Sequence, residues 1–439
     1  MNKITIIKPQ WLLPVDQAFQ LFTDTALVIE QEKIIALTPF DELTKLPGYA
    51  SADIVELENH CLMPGLINTH THAAMSLLRG IADDLPLREW LEGHIWPAEA
   101  RFVDRQFIED GVRLAVAEMM RGGTTCFNDM YFFPDVMAKT CQQMGMRATT
   151  GLIVLDFPTV WAQNADDYLG KAMTVIDEIK QYPLINAAFA PHAPYTVSDQ
   201  PLEKIVMYSN ELDIPVHMHI HETQFEVDES VKNTGQRPLE RLDQLGLLSP
   251  NLMAVHMTAI NELELERLAE TGVNIVHCPE SNLKLASGFC RIDRFMQQDI
   301  NVSLGTDGAA SNNDLDMFGE MRSAALLCKG LSGDASQCNA EQTIRMATIN
   351  GAKALGLAEQ IGSLEVGKQA DCIAIDFSQL NTQPLYDPVS QLVNAANSLQ
   401  VSNVWIAGQR KLADYQFSDI DAVEIIERAQ SWQQKIKHD

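Results

Sequence analysis

The sequence has 439 residues, 46% of them hydrophobic and 21% charged, and its formal net charge at pH 7 is −27. A field of that sign repels phosphate backbones and anionic lipid headgroups, so we expect no nucleic-acid partner and no membrane partner. Eight scattered cysteines, with no run of about 18 apolar residues anywhere, favour a cytoplasmic protein with free thiols.

The first sixty residues predict short strands separated by turns. The strand candidates are Lys3–Ile7, Thr25–Glu30, Lys33–Leu37 and Asp53–Glu58. The last of them alternates partly with period two, which is typical of a strand with one buried face. We expect this part of the chain to belong to a small β-domain and not to begin a barrel.

From Leu62 onward, short apolar strands alternate with longer helical patterns, which indicates βα units and a parallel sheet. The eight strand candidates are Leu62–Asn68, Thr124–Asn128, Arg147–Leu155, Ile185–Ala190, Pro215–Ile220, Leu252–His256, Val273–Cys278 and Asn301–Leu304. Helical patterns between them include Arg105–Arg121, Ala165–Gln181, Pro201–Leu212 and Glu262–Glu270. Eight parallel strands separated by helices predict a closed barrel, which commonly needs ~250 residues.

After the eighth strand the chain predicts two helical segments, Leu315–Lys329 and Ala340–Leu355. Strands then return at Asp371–Asp376 and Asn403–Ile406, and a final helix is expected over about Ile420–Lys437. The expected fold is therefore α/β, with a (β/α)₈ TIM-type barrel over residues 62–360. Residues 1–61 and 361–439 are expected to form a small β-sandwich domain, into which the barrel is inserted.

Most of the histidines lie where a parallel barrel places its catalytic groups, at the carboxyl ends of strands. Eight of the 11 lie within or just beyond the carboxyl-terminal halves of predicted strands: His70, His72, His192, His217, His219, His221, His256 and His277. Side chains that converge from several strands on one mouth are what a metal site requires.

His70 and His72 follow Pro64-Gly65 at the end of the first barrel strand. Side chains at i and i+2 of a strand point to the same face, so both imidazoles can reach one cation. The alternative for this pair is two hydrogen-bonded core histidines. The other histidine clusters make the metal interpretation the favoured one.

A second group, His217, His219 and His221, shares one face of the fifth strand. Zinc usually takes about four ligands, one of which is water in catalytic centres. The three histidines cannot all bind one ion together with the other ligands, so at least one lies behind the site or is structural. The pattern alone does not say which.

Asp307 lies in Gly305-Thr306-Asp307-Gly308, just after the eighth strand. An aspartate there can bind a metal and accept a proton from water, although Asp beside Gly is also a frequent turn residue. His256 on the sixth strand can steady the attacking water or its proton. For His256 and for His277 on the seventh strand, the alternative is a satisfied core histidine.

Glu222, three residues after His219, is the candidate general acid. Attack of water on an aromatic carbon that bears an amino group needs protonation of the adjacent ring nitrogen, and a carboxylic acid beside the metal can supply that proton. The alternative is an exposed loop glutamate. Because Ile185–Pro191 contains no lysine, a centre bridged by a carbamylated lysine is disfavoured and one ion is expected. The H-x-E and P-C-x-x-C signature of the unrelated zinc deaminases is absent.

Eight motifs occur in one order along nearly the whole chain: Pro64–His72, Leu91–Glu99, Gly122–Thr125, Ala190–Tyr195, His219–Thr223, His277–Leu285, Gly305–Asn312 and Gly362–Asp371. In content and order they resemble the amidohydrolase superfamily. The closer resemblance is to its 5-methylthioadenosine/S-adenosylhomocysteine deaminase branch, which is related to the chlorohydrolase-like enzymes.

The resemblance implies that the metal ligands are His70, His72, His219 and Asp307. It implies one Zn²⁺ per subunit, although iron also suits three histidines and a carboxylate. Glu222 matches the acid that protonates the purine ring, and His256 the histidine near the attacking water. The substrate contacts implied are Glu99 on the ribose hydroxyls, His192, and Trp90 beside the 5′ substituent, together with Glu222 and Asp307.

One departure from the branch bears on the substrate. Its members often carry an arginine in the third-strand region that binds the homocysteine carboxylate, but no arginine stands near Gly151, and Arg147 precedes the strand. Without a bidentate contact from arginine, binding of a substrate that carries a carboxylate is weakened more than binding of a neutral substrate. We therefore expect a preference for 5′-methylthioadenosine or adenosine over S-adenosylhomocysteine.

The expected function is zinc-dependent hydrolytic deamination of a small adenine nucleoside, most favourably 5′-methylthioadenosine to 5′-methylthioinosine. One alternative is an amidohydrolase acting on another aminated heterocycle, such as a guanine, pterin or triazine. A second is a paralogue that keeps the fold as a binding or scaffolding module. We also expect a homo-oligomer, a dimer or a tetramer.

Overall fold

A computed structural model of the chain describes residues 4–438, so Lys3, the predicted start of the first strand, lies outside the described residues. Four strands precede the barrel: β1 Ile4–Leu12, β2 Thr25–Glu30, β3 Lys33–Pro39 and β4 Asp53–Pro64. Two 3₁₀ turns, Phe40–Lys45 and Tyr49–Ser51, link β3 to β4. β1 pairs with β2 in antiparallel and with β4 in parallel fashion.

Eight parallel strands follow: β5 Leu66–Thr71, β6 Thr124–Asp129, β7 Arg147–Val154, β8 Ile185–Pro191, β9 Val216–Ile220, β10 Leu252–His256, β11 Asn274–His277 and β12 Val302–Leu304. They pair in sequence order from β5 to β12. Hydrogen bonds between the β5 and β12 ends of the sheet close the ring: Thr69 Oγ1 donates to the Leu304 carbonyl at 2.8 Å, and Asp307 N donates to the His70 carbonyl at 3.0 Å.

Helices connect the barrel strands on the outside. They are α1 Leu87–Trp90, α2 Trp96–Phe102, α3 Arg105–Arg121, α4 Pro134–Met144, α5 Ala165–Ile179, α6 Asp199–Leu212, α7 Gln224–Thr234, α8 Pro238–Gln244, α9 Glu262–Thr271, α10 Pro279–Lys284, α11 Ile292–Gln297, α12 Met317–Ser332, α13 Ala340–Met346 and α14 Ile349–Ala354. A 3₁₀ segment, Ala73–Leu78, follows β5, and one π-helical turn, Leu91–Ile95, joins α1 to α2. Within residues 4–438, no helix is both long enough and apolar enough to cross a lipid bilayer.

The chain then returns to the first sheet. Its last elements are β13 Cys372–Asp376, the 3₁₀ turn Leu380–Thr382, α15 Pro388–Asn394, the 3₁₀ turn Ser398–Gln400, β14 Val401–Ile406, β15 Gln409–Ala413, β16 Gln416–Phe417 and α16 Ala422–His438. The resulting terminal sheet is mixed and eight-stranded, in the order β16-β15-β14-β13-β4-β1-β2-β3. The expected barrel with a small β-domain built from both termini is thereby confirmed.

Two predicted elements differ from the structure. The first barrel strand begins at Leu66 and not at Leu62, because β4 continues to Pro64 and its residues pair with β13. The predicted helix Ala340–Leu355 is wrong as a single element, since it is interrupted between α13 and α14. There the Ala347 carbonyl accepts a hydrogen bond from Ile67 N of β5 at 2.8 Å. That carbonyl is therefore not available for the hydrogen bond that a continuous helix would need.

Candidate active site

A cavity of about 540 Å³ opens at the carboxyl ends of the barrel strands. Its polar lining comprises His72, Glu99, Tyr131, Thr159, His192, Tyr195, Thr196, His219, Glu222, His256, Asp307 and Ser311. Its apolar walls include Met75, Leu87, Trp90, Leu91, Ile95, Trp96, Phe132, Leu155, Phe157, Pro158, Val160 and Leu285. Within residues 4–438, neither arginine nor lysine lines this cavity.

Four side chains from three strands meet at its base. His70 and His72 come from β5 and its end, His219 from β9, and Asp307 from the loop after β12. Asp307 Oδ1 lies 3.3 Å from Nε2 of His70 and 3.3 Å from Nε2 of His72. The Nε2 atoms of His70 and His219 are 3.2 Å apart. The ligand atoms of His70, His72 and His219 all lie within 4.8 Å of one another, as do those of His70, His256 and Asp307, so both groups share His70.

The outer ring nitrogens of two of these histidines are fixed by backbone carbonyls. His72 Nδ1 lies 2.6 Å from the Met130 carbonyl, and His219 Nδ1 lies 2.8 Å from the His192 carbonyl. A carbonyl oxygen only accepts, so both Nδ1 atoms carry the proton. Both Nε2 atoms then present lone pairs to the centre, which is how metal-binding histidines are held.

The other histidines that the sequence left unassigned lie outside the cavity. His217 lies behind His70, with its Nε2 2.9 Å from His70 Nδ1. His221 Nε2 accepts a hydrogen bond from Leu239 N at 3.3 Å. His277 is buried at the end of β11.

Burial and mutual charge set the protonation of the cluster. Burial lowers the pKa of His70 to about 4 and holds that of His219 well below its usual value. Burial acts to raise the pKa of Asp307, but its hydrogen bond to His70 and the charges of the nearby histidines outweigh this and hold that pKa well below normal. At neutral pH the imidazoles of His70 and His219 are therefore neutral and the Asp307 carboxylate is ionised, as ligands must be.

Glu222 and His256 face each other beside this cluster. Glu222 Oε2 lies 3.8 Å from His256 Nε2, and the Ser287 hydroxyl donates to Glu222 Oε1 at 3.3 Å. His256 Nδ1 lies 2.9 Å from Asn282 Oδ1, which turns Nε2 toward the cavity. Burial raises the pKa of Glu222, although the charge of His256 opposes the shift. His256 and Asp307 also have left-handed φ angles of 75° and 63°, a backbone strain that concentrates at functional sites.

The remaining predicted residues lie on the cavity wall. Glu99, on α2, accepts a hydrogen bond from the Tyr131 hydroxyl at 2.6 Å. Desolvation raises the pKa of Glu99 to about 7. His192 Nδ1 lies 3.1 Å from Thr196 Oγ1. Trp90 is buried on the apolar side. All the residues to which the sequence assigned a role line the cavity, except His70, which is fully buried next to them.

Four side chains that contact the predicted site residues were not assigned a role from the sequence. The Ser281 hydroxyl donates to Asp307 Oδ2 at 2.6 Å, and Asn282 holds His256. Glu226 accepts from the backbone of Glu222 at 2.9 Å, and Tyr131 binds Glu99 as described above. Ser281 and Asn282 lie within the motif His277–Leu285, and Tyr131 comes two residues after β6, at the strand end where such groups are expected.

The family model that matches this chain is the amidohydrolase family, over residues 61–411. The chain belongs to the amidohydrolase family. Two curated relatives of this amidohydrolase are named 5-methylthioadenosine/S-adenosylhomocysteine deaminase. The one from Teredinibacter turnerae is 49% identical over 426 residues, covering 97% of this chain and 96% of the relative. The one from Saccharophagus degradans is 48% identical over 432 residues, covering 98% and 96%.

Among solved structures, this amidohydrolase is similar to an adenosine deaminase from Xanthomonas campestris with bound zinc. The two chains are 47% identical, with a TM-score of 0.96 and 99% of each chain covered. The resemblance to the 5-methylthioadenosine/S-adenosylhomocysteine deaminase branch, expected from the motifs, is confirmed by these relatives.

Proposed function

We propose that this amidohydrolase binds one Zn²⁺ per subunit and hydrolytically deaminates an adenine nucleoside, most favourably 5′-methylthioadenosine to 5′-methylthioinosine. The observation that carries the proposal is the meeting of His70, His72, His219 and Asp307 at the base of a cavity that also holds Glu222. The names of the relatives, and the zinc in the similar adenosine deaminase, support the same reaction.

The four residues fit a zinc ion by spacing and by charge. Donor atoms about 2.0–2.1 Å from a tetrahedral ion lie roughly 3.3–3.4 Å from one another. Three of the distances between these donors, His70 to His219 and Asp307 to His70 and His72, are 3.2–3.3 Å. Three imidazoles and one buried carboxylate form a donor set that zinc prefers, and ferrous iron accepts it as well.

The bound ion supplies Lewis-acid chemistry, which lowers the pKa of water from ~15.7 to ~7 and so provides a nucleophile at neutral pH. Asp307, with His256 beside it, takes a proton from the attacking water. Glu222, whose pKa is raised by burial, gives a proton to N1 of the adenine as the water oxygen bonds to C6. The bond from C6 to its amino nitrogen then breaks, the proton from Asp307 completes the ammonia, and the hydroxyl proton on C6 passes to Glu222, which leaves C6=O and restores the acid.

The walls of the cavity supply the substrate contacts of the proposal. Glu99 binds the ribose hydroxyls, His192 contacts the substrate, and Trp90 lies beside the 5′ substituent. A thiomethyl group suits apolar walls. A homocysteine carboxylate would find no arginine or lysine along the cavity lining within residues 4–438. Arg147, the nearest arginine in the third-strand sequence, is engaged with Asp371 at the far end of β7.

An ultraviolet assay of adenine-to-hypoxanthine conversion tests the reaction. The purified protein should convert 5′-methylthioadenosine, lose activity with a chelator, and recover it with added Zn²⁺. Metal analysis of the same preparation should give one ion per chain. Release of ammonia from a guanine, pterin or triazine, with none from any adenine nucleoside, would favour the alternative heterocycle. Protein without bound metal and without turnover of any of these compounds would favour the alternative of a binding or scaffolding module.

The substrate preference is tested by kcat/KM for 5′-methylthioadenosine, adenosine and S-adenosylhomocysteine. We expect S-adenosylhomocysteine to be at least about tenfold poorer than 5′-methylthioadenosine, because its carboxylate lacks a charge-assisted partner. A clear preference for S-adenosylhomocysteine would refute this part of the proposal while leaving the deamination intact.

The cytoplasmic location and a homo-oligomeric state, dimer or tetramer, are also part of the proposal. All eight cysteines are buried, and none forms a disulfide within residues 4–438, which suits a reducing compartment. Light scattering coupled to gel filtration measures the oligomeric state. A monomer at micromolar concentration would contradict it.

A further inference from the structure

Glu99 is the one carboxylate on the side wall of the cavity that the proposed reaction leaves free to bind the sugar. It belongs to α2, a two-turn helix that follows the π-helical turn Leu91–Ile95. This segment lies outside the barrel strands. A carboxylate on such a segment needs a contact to the barrel if it is to keep one orientation toward a substrate.

Tyr131 provides that contact. It comes two residues after β6, and its backbone bridges to Leu152 of β7, so the barrel fixes its position. Its ring is buried, packs 5.0 Å from the ring of Phe132, and lines the same cavity. Its hydroxyl donates to Glu99 Oε1 at 2.6 Å. Within residues 4–438, no second protein group donates a hydrogen bond to this carboxylate.

We propose that Tyr131 is a positioning residue that determines specificity for ribose, since it holds Glu99 Oε1 and leaves Oε2 to accept hydrogen bonds from the 2′- and 3′-hydroxyls. The inference rests on the proposed adenine-nucleoside deamination. It assigns to the Tyr131–Glu99 pair the discrimination between a sugar that has a vicinal diol and one that lacks it.

The electrostatics of the wall agree with this role. Desolvation raises the pKa of Glu99, while the hydrogen bond from Tyr131 and the charge of His72 act against the shift. The tyrosine hydroxyl therefore favours the ionised carboxylate. An ionised carboxylate accepts hydrogen bonds more strongly than a protonated one, and each such bond is charge-assisted.

The test compares two substrates on one preparation. Tyr131→Phe removes the hydroxyl and keeps the ring, so the cavity wall is preserved. We expect kcat/KM for adenosine to fall about tenfold, mostly through KM, because a hydrogen bond to a charged group is lost. For 2′,3′-dideoxyadenosine, which presents the same base without the diol, the fall should be less than about twofold. A folding defect would lower both values equally, so the ratio isolates the sugar.

Two further variants sharpen the result. In a Glu99→Gln background, Tyr131→Phe should no longer change kcat/KM for adenosine, since the two residues act through one contact. Tyr415→Phe removes a similar tyrosine–carboxylate contact, 2.8 Å to Asp376, in the terminal sheet, and should leave the substrate ratio unchanged. Equal losses on both substrates, or none, would refute the inference. Failure of the unsubstituted protein to deaminate either nucleoside would refute the proposed function instead.

Discussion

At the scale of single residues, the cluster is held by the second nitrogen of each ring. His72 and His219 donate from Nδ1 to main-chain carbonyls, and His70 Nδ1 faces His217. The three Nε2 atoms are thereby directed inward. Fixing the outer ring nitrogens in this way orients the ligands and increases the affinity of a metal site.

The general acid gives the first prediction at this scale. Glu222→Gln keeps the shape of the side chain but cannot deliver a proton, so kcat for 5′-methylthioadenosine should fall at least about 100-fold. Metal content should stay at one ion per chain, because Glu222 is not among the four proposed ligands. Glu240→Gln, an exposed glutamate on α8, is the matched control. If Glu222→Gln lost metal as well as activity, Glu222 would be needed for metal binding, and its assignment as the general acid would be contradicted.

Glu99 gives a prediction about pH. Desolvation raises its pKa to about 7, so the ionised form predominates above that pH and is lost as pH falls below it. KM for adenosine should therefore rise as the pH is lowered through about 7, and KM for 2′,3′-dideoxyadenosine should not. Steady-state kinetics at constant ionic strength measure both. A KM for adenosine that is flat from about pH 8 to about pH 6 would show that Glu99 does not bind the diol.

The strand pattern predicted which residue types converge, but only the family resemblance, and not the pattern, distinguished His219 from the other two histidines of the fifth strand. β9 ends at Ile220, so the alternation that places His217 and His219 on one face no longer applies to His221. His221 has a left-handed φ of 51° and turns away. His217 shares the face but lies one pair deeper, where it reaches the outer nitrogen of His70. Where a strand stops depends on tertiary pairing, which periodicity does not report.

At the scale of elements, apolar runs and helical periodicity were enough to predict eight barrel strands, whereas boundaries between domains were not predictable. Pro64 and Leu66 belong to two different sheets, with only Gly65 between them. A Cβ at Gly65 would lie 2.0 Å from Thr125 Oγ1, so the residue that separates the sheets must be glycine. The sequence has no polar residue from Pro64 through Gly65 to Leu66, so hydrophobicity does not indicate where one sheet ends and the other begins.

Gly305 gives the prediction for the seam between β12 and β5. A Cβ there would lie 2.8 Å from His70 N and 2.9 Å from His70 Cβ. Gly305→Ala should therefore displace the strand that carries two of the proposed ligands. We expect lower metal occupancy, at least about tenfold lower kcat/KM, and a loss of about 1–3 kcal/mol in the free energy of unfolding.

Gly170→Ala is the control for that substitution. Gly170 lies within α5, and a Cβ there would meet nothing within 4 Å. Alanine in a helix interior should raise stability by about 0.5–1 kcal/mol and leave metal content unchanged. Full metal occupancy in Gly305→Ala would mean that the seam can move without disturbing the ligands.

At the scale of the whole molecule, the barrel is inserted between the two halves of the terminal sheet. The chain leaves this sheet after β4 and rejoins it at β13, which pairs directly with β4. Asp371, just before β13, accepts from Arg147 Nε at 2.7 Å and from Ala407 N at 2.7 Å. One buried carboxylate therefore ties the start of β7 in the barrel to two segments of the terminal sheet.

This buried pair gives the last prediction. Arg147→Met leaves Asp371 charged and without its partner, so the free energy of unfolding should fall by about 3–5 kcal/mol. Arg147→Met combined with Asp371→Leu should be less destabilised, since no unpaired charge remains buried. Because Arg147 lies at the opposite end of β7 from the cavity, kcat/KM for 5′-methylthioadenosine should change less than about twofold in the protein that remains folded.

The control is Arg267→Met, which breaks the exposed pair with Asp243 and should lower the free energy of unfolding by less than about 1 kcal/mol. If fully folded Arg147→Met lost activity, Arg147 would instead contribute to substrate turnover. That result would refute the interpretation that the Arg147–Asp371 pair joins the barrel to the terminal sheet.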